Sequence, residues 1–363
     1  MTAPKETLWE IEPHTRAKHE ILRRYLEAWF PILNKYHRRI VYIDGFCGPG
    51  RYKGGEPGSP IIALEVATNH RETLEGELVF WFIDERQDRI DHLRGELNRM
   101  PIPPQFKVQT ECGKFHELFG SVLSCLENKG APLAPTFAFL DPFGFAGIPF
   151  SLVQQILSQE HCEGFITFMV DAMNRFLEGP QESVVRHIVD AFGTEDCIRV
   201  AREPGDRIKN LRLLYQRQLE QVAKFIRYFE MRDRNDRPQY YLFFATNHQK
   251  GHEKMKEAMW RVDPEGQFTF SDGTDPSQMR LFKTDPIPDL IEELEYRFSG
   301  RGPVACEGIW GYVVKETPYV KKHMRAALEQ LEDLQKIRVE PIKADGTRRR
   351  KGTYPNGTEI TFL

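Results

Sequence analysis

Hydrophobic positions over the first three quarters of the chain fall into short runs separated by helical patterns. Ile40–Phe46, Leu78–Ile83, Phe106–Thr110, Thr136–Leu140, Gly164–Val170, Tyr240–Ala245 and Gln267–Phe270 are rich in β-branched and aromatic residues and predict strands. Several, such as Thr136–Leu140, are apolar throughout, as in a strand buried on both faces. Apolar residues spaced by three and four predict helices at Ser59–Asn69, Arg86–Asn98, Phe115–Glu127, Ser151–Gln159, Ser183–Phe192, Arg207–Glu230 and Lys250–Trp260, with another over 13–30 ahead of the first strand. Strand and helix in alternation predict a doubly wound α/β sheet, whose ligands sit beyond the carboxyl ends of the strands.

Thr274–Asp289, rich in Pro and Asp, breaks both periodicities and predicts a boundary, with one domain over 1–285 and a smaller one over 286–363. Beyond it Asp289–Phe298, Ala305–Val314 and Pro318–Gln335 predict three helices, the last with an apolar stripe of Val320, Met324, Leu328, Leu331 and Leu334. Asp345-Gly346 and Asn356-Gly357 are hairpin signals. Three helices closing into a short sheet predict a winged helix.

Composition narrows the class. The 363 residues are 40% hydrophobic with 25 Phe, 12 Tyr and 5 Trp, which excludes a disordered or collagen-like chain. The six cysteines stand one at a time with no C-x-x-C pair, so neither a disulfide framework nor a zinc knuckle is indicated. No apolar run reaches the roughly 18 to 20 residues that cross a bilayer, and the N-terminus lacks a basic region followed by an apolar stretch; a cytoplasmic address without membrane contact is the expectation.

Lys plus Arg is 50 against 53 Asp plus Glu, a net charge of −3 that selects no partner. Its distribution does: residues 301–363 carry 12 basic against 8 acidic side chains, leaving 38 against 45 for the rest. A basic small domain beside an acidic body points to a polyanion for the small domain alone, through Lys321, Lys322 and the run Arg348-Arg349-Arg350-Lys351. The run reads equally as a solvated edge strand.

The sharpest chemical feature is Tyr42-Ile43-Asp44-Gly45-Phe46-Cys47-Gly48-Pro49-Gly50, a strand entering a glycine-rich turn, followed by Gly58-Ser59-Pro60 and a helix. Glycines there let backbone approach a ligand, and Ser59 with Pro60 reads as N-cap and first helical position. An acidic pair, Asp84-Glu85, ends the next strand, where a carboxylate accepts from ribose hydroxyls. A pyrophosphate would want the glycines to open directly into a helix; here eight residues intervene, 51–58. Asp44 with Phe46, Gly48 and Gly50 therefore suits the cationic S-adenosylmethionine (SAM) better than NAD. A second cluster, Asp141-Pro142-Phe143-Gly144, ends the fourth predicted strand. Asp141 can accept from a planar amine while Phe143 stacks on its ring, as extruded bases are read; Asp-Pro-x-Gly is also a common N-cap and turn.

Asn247-His248-x-x-x-His252 spaces two imidazoles by four without a third ligand, so no metal is assigned. Asn247 reads as an N-cap, with Met255, Met259 and Trp260 as core positions. Asp171, Asn174 and Arg175 follow the fifth strand, toward the same cleft, and Lys18 or Tyr25 could cover it.

Thr15-x-x-Lys18 with Tyr25 and Trp29, YIDGFCGPGRYKGG with GSPIIAL, DPFG, and Phe244-Ala245-Thr246-Asn247-His248 with Gly251, Met255 and Met259 together resemble the three-Cys-motif partner (TcmP) proteins over nearly the whole chain. The resemblance implies a class I methyltransferase-like Rossmann domain with a winged-helix-like C-terminal part, and a partner protein of the three-cysteine, radical-SAM-like kind. Asp141-Pro142-Phe143-Gly144 lacks the second proline of the nucleic-acid amine methyltransferases, which makes base methylation an analogy. Two functions result: a SAM-dependent methyltransferase acting on an amine of a nucleic-acid base, or a non-catalytic nucleic-acid-binding partner protein with a vestigial methyltransferase fold.

Overall fold

The computed structural model describes residues 4–177, 179, 181–273, 285–340 and 347–363, and the chain forms two compact units. The first holds the described residues up to 258 together with 269–273; the second holds 259–268 and those from 285 onward.

The first unit begins with α1 (Pro13–Tyr36), β1 (Arg39–Asp44), α2 (Ser59–Thr68), β2 (Glu77–Asp84), α3 (Gln87–Leu97), β3 (Phe106–Cys112), α4 (Phe115–Asn128), β4 (Thr136–Leu140), α5 (Phe150–Leu157) and β5 (Glu163–Phe168). There follow α6 (Val170–Phe176), α7 (Glu182–Phe192), α8 (Asp196–Val200), α9 (Arg207–Glu220), β6 (Phe225–Arg232), β7 (Pro238–Thr246), α10 (Gln249–Val262) and β8 (Thr269–Ser271). One sheet runs β3-β2-β1-β4-β5-β7-β6-β8. Its first five strands are parallel, while β7 enters antiparallel to both β5 and β6. This is the expected doubly wound sheet, with an antiparallel strand β7 inserted between β5 and β6. The apolar runs sit at its centre: every residue of β4 and β5 is buried, whereas edge strand β3 alternates.

Two expected elements change. The helix over Arg207–Glu230 stops at Glu220, and Phe225–Arg232 is β6, hairpinned to β7 through a turn in which Asp236 is left-handed (φ +59°). The strand over Gly164–Val170 ends at Phe168, and Val170 already opens α6.

In the second unit α11 (Ile287–Phe298), β9 (Val304–Ala305), α12 (Cys306–Glu316), α13 (Lys321–Asp333), β10 (Ile337–Val339) and β11 (Glu359–Phe362) give three helices and a sheet of order β10-β11-β9, a winged helix. Its core takes Leu290, Leu294, Trp310, Met324, Leu328 and Leu331. Leu334, expected in the stripe, is 63% exposed because α13 ends before it. Asp345-Gly346 lies outside the described residues, and Asn356-Gly357 forms a tight turn leading into β11 rather than joining two paired strands. No described helix is long and apolar enough to cross a membrane.

Candidate functional site

β1 carries Asp44 to the carboxyl edge of the sheet, and the chain turns at once. Gly48 and Gly50 hold φ of +61° and +85°, a region side chains resist. The Cys47 N–H donates to the Ile83 carbonyl at 2.8 Å, the Gly48 N–H to Asp84 Oδ2 at 3.1 Å, and the Gly58 N–H to the Gly50 carbonyl at 2.7 Å. Ser59 is the first helical residue of α2, not its N-cap, which leaves its hydroxyl for Asp44. Asp44 Oδ1 accepts from the Phe46 N–H at 3.3 Å, while Oδ2 is buried without a partner. Burial pushes the Asp44 carboxyl up to about 7, against the Ser59 and Phe46 hydrogen bonds.

β4 delivers Asp141 beside β5. Its Oδ2 holds the Lys18 ammonium of α1 at 2.5 Å, and its Oδ1 accepts from the Thr167 hydroxyl at 2.6 Å. Asp141 caps no helix, since α5 starts only at Phe150. Phe143, two residues on, is 38% exposed.

The segment before α1 completes the site. The Trp9 carbonyl accepts from the Lys53 N–H at 2.9 Å, and its ring meets Tyr52 and Phe143 edge-on, with centroids 5.6 and 5.5 Å away. The Arg89 guanidinium lies 4.9 Å from the Trp9 ring centre and 5.3 Å from that of Phe143, and with Arg86 it donates to the Pro4 carbonyl.

Two neighbouring narrow pockets result, of about 30 and 60 Å³, both lined by Trp9, Tyr52, Asp141 and Phe143. Phe46, Gly48, Gly50 and Ser59 line the first; Lys18, Pro142, Thr167 and Tyr240 line the second. Most of the predicted site residues thus meet, with Asp44 joined to the lining through Ser59 and Phe46. Asp84 is engaged elsewhere: it accepts from the Gly48 and Arg86 N–H groups and lies 3.5 Å from Arg89. Glu85 is exposed and lines neither pocket. Two lining residues keep buried polar atoms without a partner, His19 Nδ1 and Tyr240 Oη. Burial, with Lys18 beside it, lowers His19 to about 3, so its imidazole is neutral. Burial likewise holds the Cys47 thiol protonated.

Trp9, Tyr52, Arg89, Thr167 and Tyr240 escaped sequence reasoning. Only Thr167 carried a usable signal, its place near the end of a strand beside β4. Tyr25, expected over this cleft, instead hydrogen-bonds Glu163. Asp171 and Arg175 pair with each other at 3.0 Å within α6. Asn247 is not an N-cap: its side chain ties the Lys224 N–H and the Leu157 carbonyl together. Among the described residues no cluster of three or more His, Cys, Asp or Glu is arranged to hold a metal ion.

In the second unit the basic run lies in the connection from β10 to β11. Arg349 is turned inward onto Glu332, and Lys351 meets Asp333 at 2.5 Å. Lys322, Arg348 and Arg350 are exposed, while Lys321 lies 5.6 Å from the Trp310 ring centre.

Residues 263–343 match the family model of the GMT-like wHTH domain. No curated protein matches the chain. Among solved structures, human methyltransferase-like protein 13 in complex with SAH is 10% identical, with 73% of this chain and 97% of that one covered and a TM-score of 0.37. The O-methyltransferase from Bacillus cereus in complex with SAH is 12% identical, with 65% and 82% covered and a TM-score of 0.34. The Streptomyces achromogenes O-methyltransferase of tomaymycin synthesis in complex with SAM is 11% identical, with 66% and 82% covered and a TM-score of 0.35.

Proposed function

We propose that the chain is a SAM-dependent methyltransferase acting on an amine of a nucleic-acid base, with its winged helix recruiting the polynucleotide. The observation that carries this reading is the convergence of two strand ends on one pocketed region: Asp44 with its glycine turn, and Asp141 with Phe143. The residues suit the cofactor, because a buried carboxylate with one oxygen unpartnered favours a bound cation, and two left-handed glycines allow close backbone approach. Asp44, Phe46, Gly48, Gly50 and Ser59 would hold it, with Asp84 firming the turn from beneath. Bound SAM would supply an electrophilic methyl group on a sulfonium.

The chain's own residues orient the acceptor. Lys18 and Thr167 each fix one oxygen of Asp141, and a carboxylate has about four lone-pair sites, so both oxygens retain capacity for amine N–H donors. Phe143 offers a partly exposed ring face for a flat heterocycle, with the Trp9 ring set edge-on against it.

The experiment is methyl release from labelled SAM with total RNA or DNA as acceptor. Asp141→Ala should lower turnover about two to three powers of ten with cofactor affinity kept. Phe143→Ala should weaken acceptor binding by about 1 to 3 kcal/mol. A second reading, a non-catalytic nucleic-acid-binding protein serving a three-cysteine, radical-SAM-like partner, draws on Trp9 and Arg89 packing into the same region. Nucleic-acid binding that persists without methyl release, and that neither variant alters, would favour it.

A further inference from the structure

The first unit holds a further cavity, away from the site described above. It lies at the opposite edge of the sheet, beside the start of β5 and the end of β7, with a volume of about 320 Å³. Tyr25, Trp29 and Leu33, one stripe of α1 at spacing four, form one wall, and Lys250 and Lys254 on the first turns of α10 face it. Between them His37, His161 and His248 build a column of imidazoles, with ring centroids 4.8 and 4.6 Å apart; the second pair is within 9° of parallel. Parallel rings direct their in-plane nitrogen lone pairs side by side rather than at one point, so the column does not form a metal centre. His248 Nε2 is nevertheless buried without a partner.

We propose that this cavity binds an amphipathic organic anion, an aromatic carboxylate. Its lining is mostly aromatic and aliphatic carbon, the character of a pocket for a flat apolar body. The imidazole column adds ring faces at stacking distance. The charge left over is positive. The carboxylate in the lining, Glu163, is already occupied by the Tyr25 hydroxyl and, at 2.7 Å, by that of Thr246. Lys250, exposed, and Lys254, partly exposed, stand at the rim and pair within their own helix with Glu253 at 3.4 Å and Glu257 at 2.6 Å. An anionic head can take these ammonium groups while the body fills the cavity. Gly251 makes room for the arrangement, since a Cβ there would lie 2.2 Å from Glu163 Oε1.

The test titrates the full-length chain with 2-naphthoate by calorimetry, with the neutral 2-naphthamide as comparison. Naphthoate should bind stoichiometrically and about fivefold or more tighter than the amide. Leu33→Trp, which fills the cavity, should weaken both ligands about tenfold or more. The rim variant Lys254→Gln, at a partly exposed position, should weaken naphthoate alone about fivefold. No naphthoate binding, equal binding of acid and amide, or naphthoate binding that Lys254→Gln leaves unchanged would each overturn the proposal.

Discussion

At the scale of single residues, Asp44 makes a pH-dependent prediction. Its carboxyl is held up to about 7 by burial, above the value near 3.8 of an ordinary aspartate, so the folded chain binds more protons here than the unfolded chain between those limits. The stability contributed by the neutral carboxyl is complete below about pH 4 and is lost as pH rises through 7. A cationic ligand needs the carboxylate instead, so binding must release a proton. Affinity for SAM should therefore rise with pH between about 6 and 8, and Asp44→Asn should flatten that rise; calorimetry in buffers of different ionisation enthalpy would measure the proton released. A flat profile for the native chain would remove Asp44 from the site. The sequence made Asp44, Gly48, Gly50 and Asp141 legible because each ends or closely follows a strand that an apolar run announces. Arg89 and Trp9 were not legible, since nothing local to either says that a distant aromatic ring will be its neighbour.

At the scale of elements, periodicity served best where one period dominated. β4 and β5 are buried throughout, with apolar residues dominant, and were read within one or two residues at each end. β6 was absorbed into a helix because Phe225-Ile226-Arg227-Tyr228-Phe229-Glu230 continues the apolar spacing of α9 as readily as it alternates. The turn chemistry at Asn235-Asp236-Arg237-Pro238 was the signal that would have separated them. The segment before α1 had no period, yet it closes the pockets: Trp9 is pinned through its carbonyl and its ring, and Arg86 and Arg89 hold Pro4. A segment so placed must give way for a ligand to enter. Trp9→Ala should accelerate both association and dissociation of SAM, by about tenfold in stopped-flow measurements, as expected of a weakened lid. Unchanged rates would mean that ligands enter without displacing it.

At the scale of the whole molecule, charge is divided between an acidic body and a basic C-terminal part, and the fold decides how much of that basic charge a polyanion can reach. Arg349 is committed to Glu332, which also accepts from Tyr354 and the Gly352 N–H. Lys322, Arg325, Arg348 and Arg350 are exposed on α13 and on the connection to β11. Four phosphate contacts would give a slope of about −3 in log affinity against log salt. Replacing Arg348 and Arg350 together by Glu should lower nucleic-acid affinity and cut that slope by about half, whereas Arg349→Ala should leave the slope alone and cost about 2 kcal/mol of stability, because it strips a mostly buried carboxylate of its partner. The contrast reads the structure rather than the composition, since the three arginines are adjacent in sequence and differ only in where the fold sends them. Were Arg349→Ala to reduce the salt slope as Arg348 and Arg350 do, its pairing with Glu332 would have to open on binding, and the run would act as one basic patch.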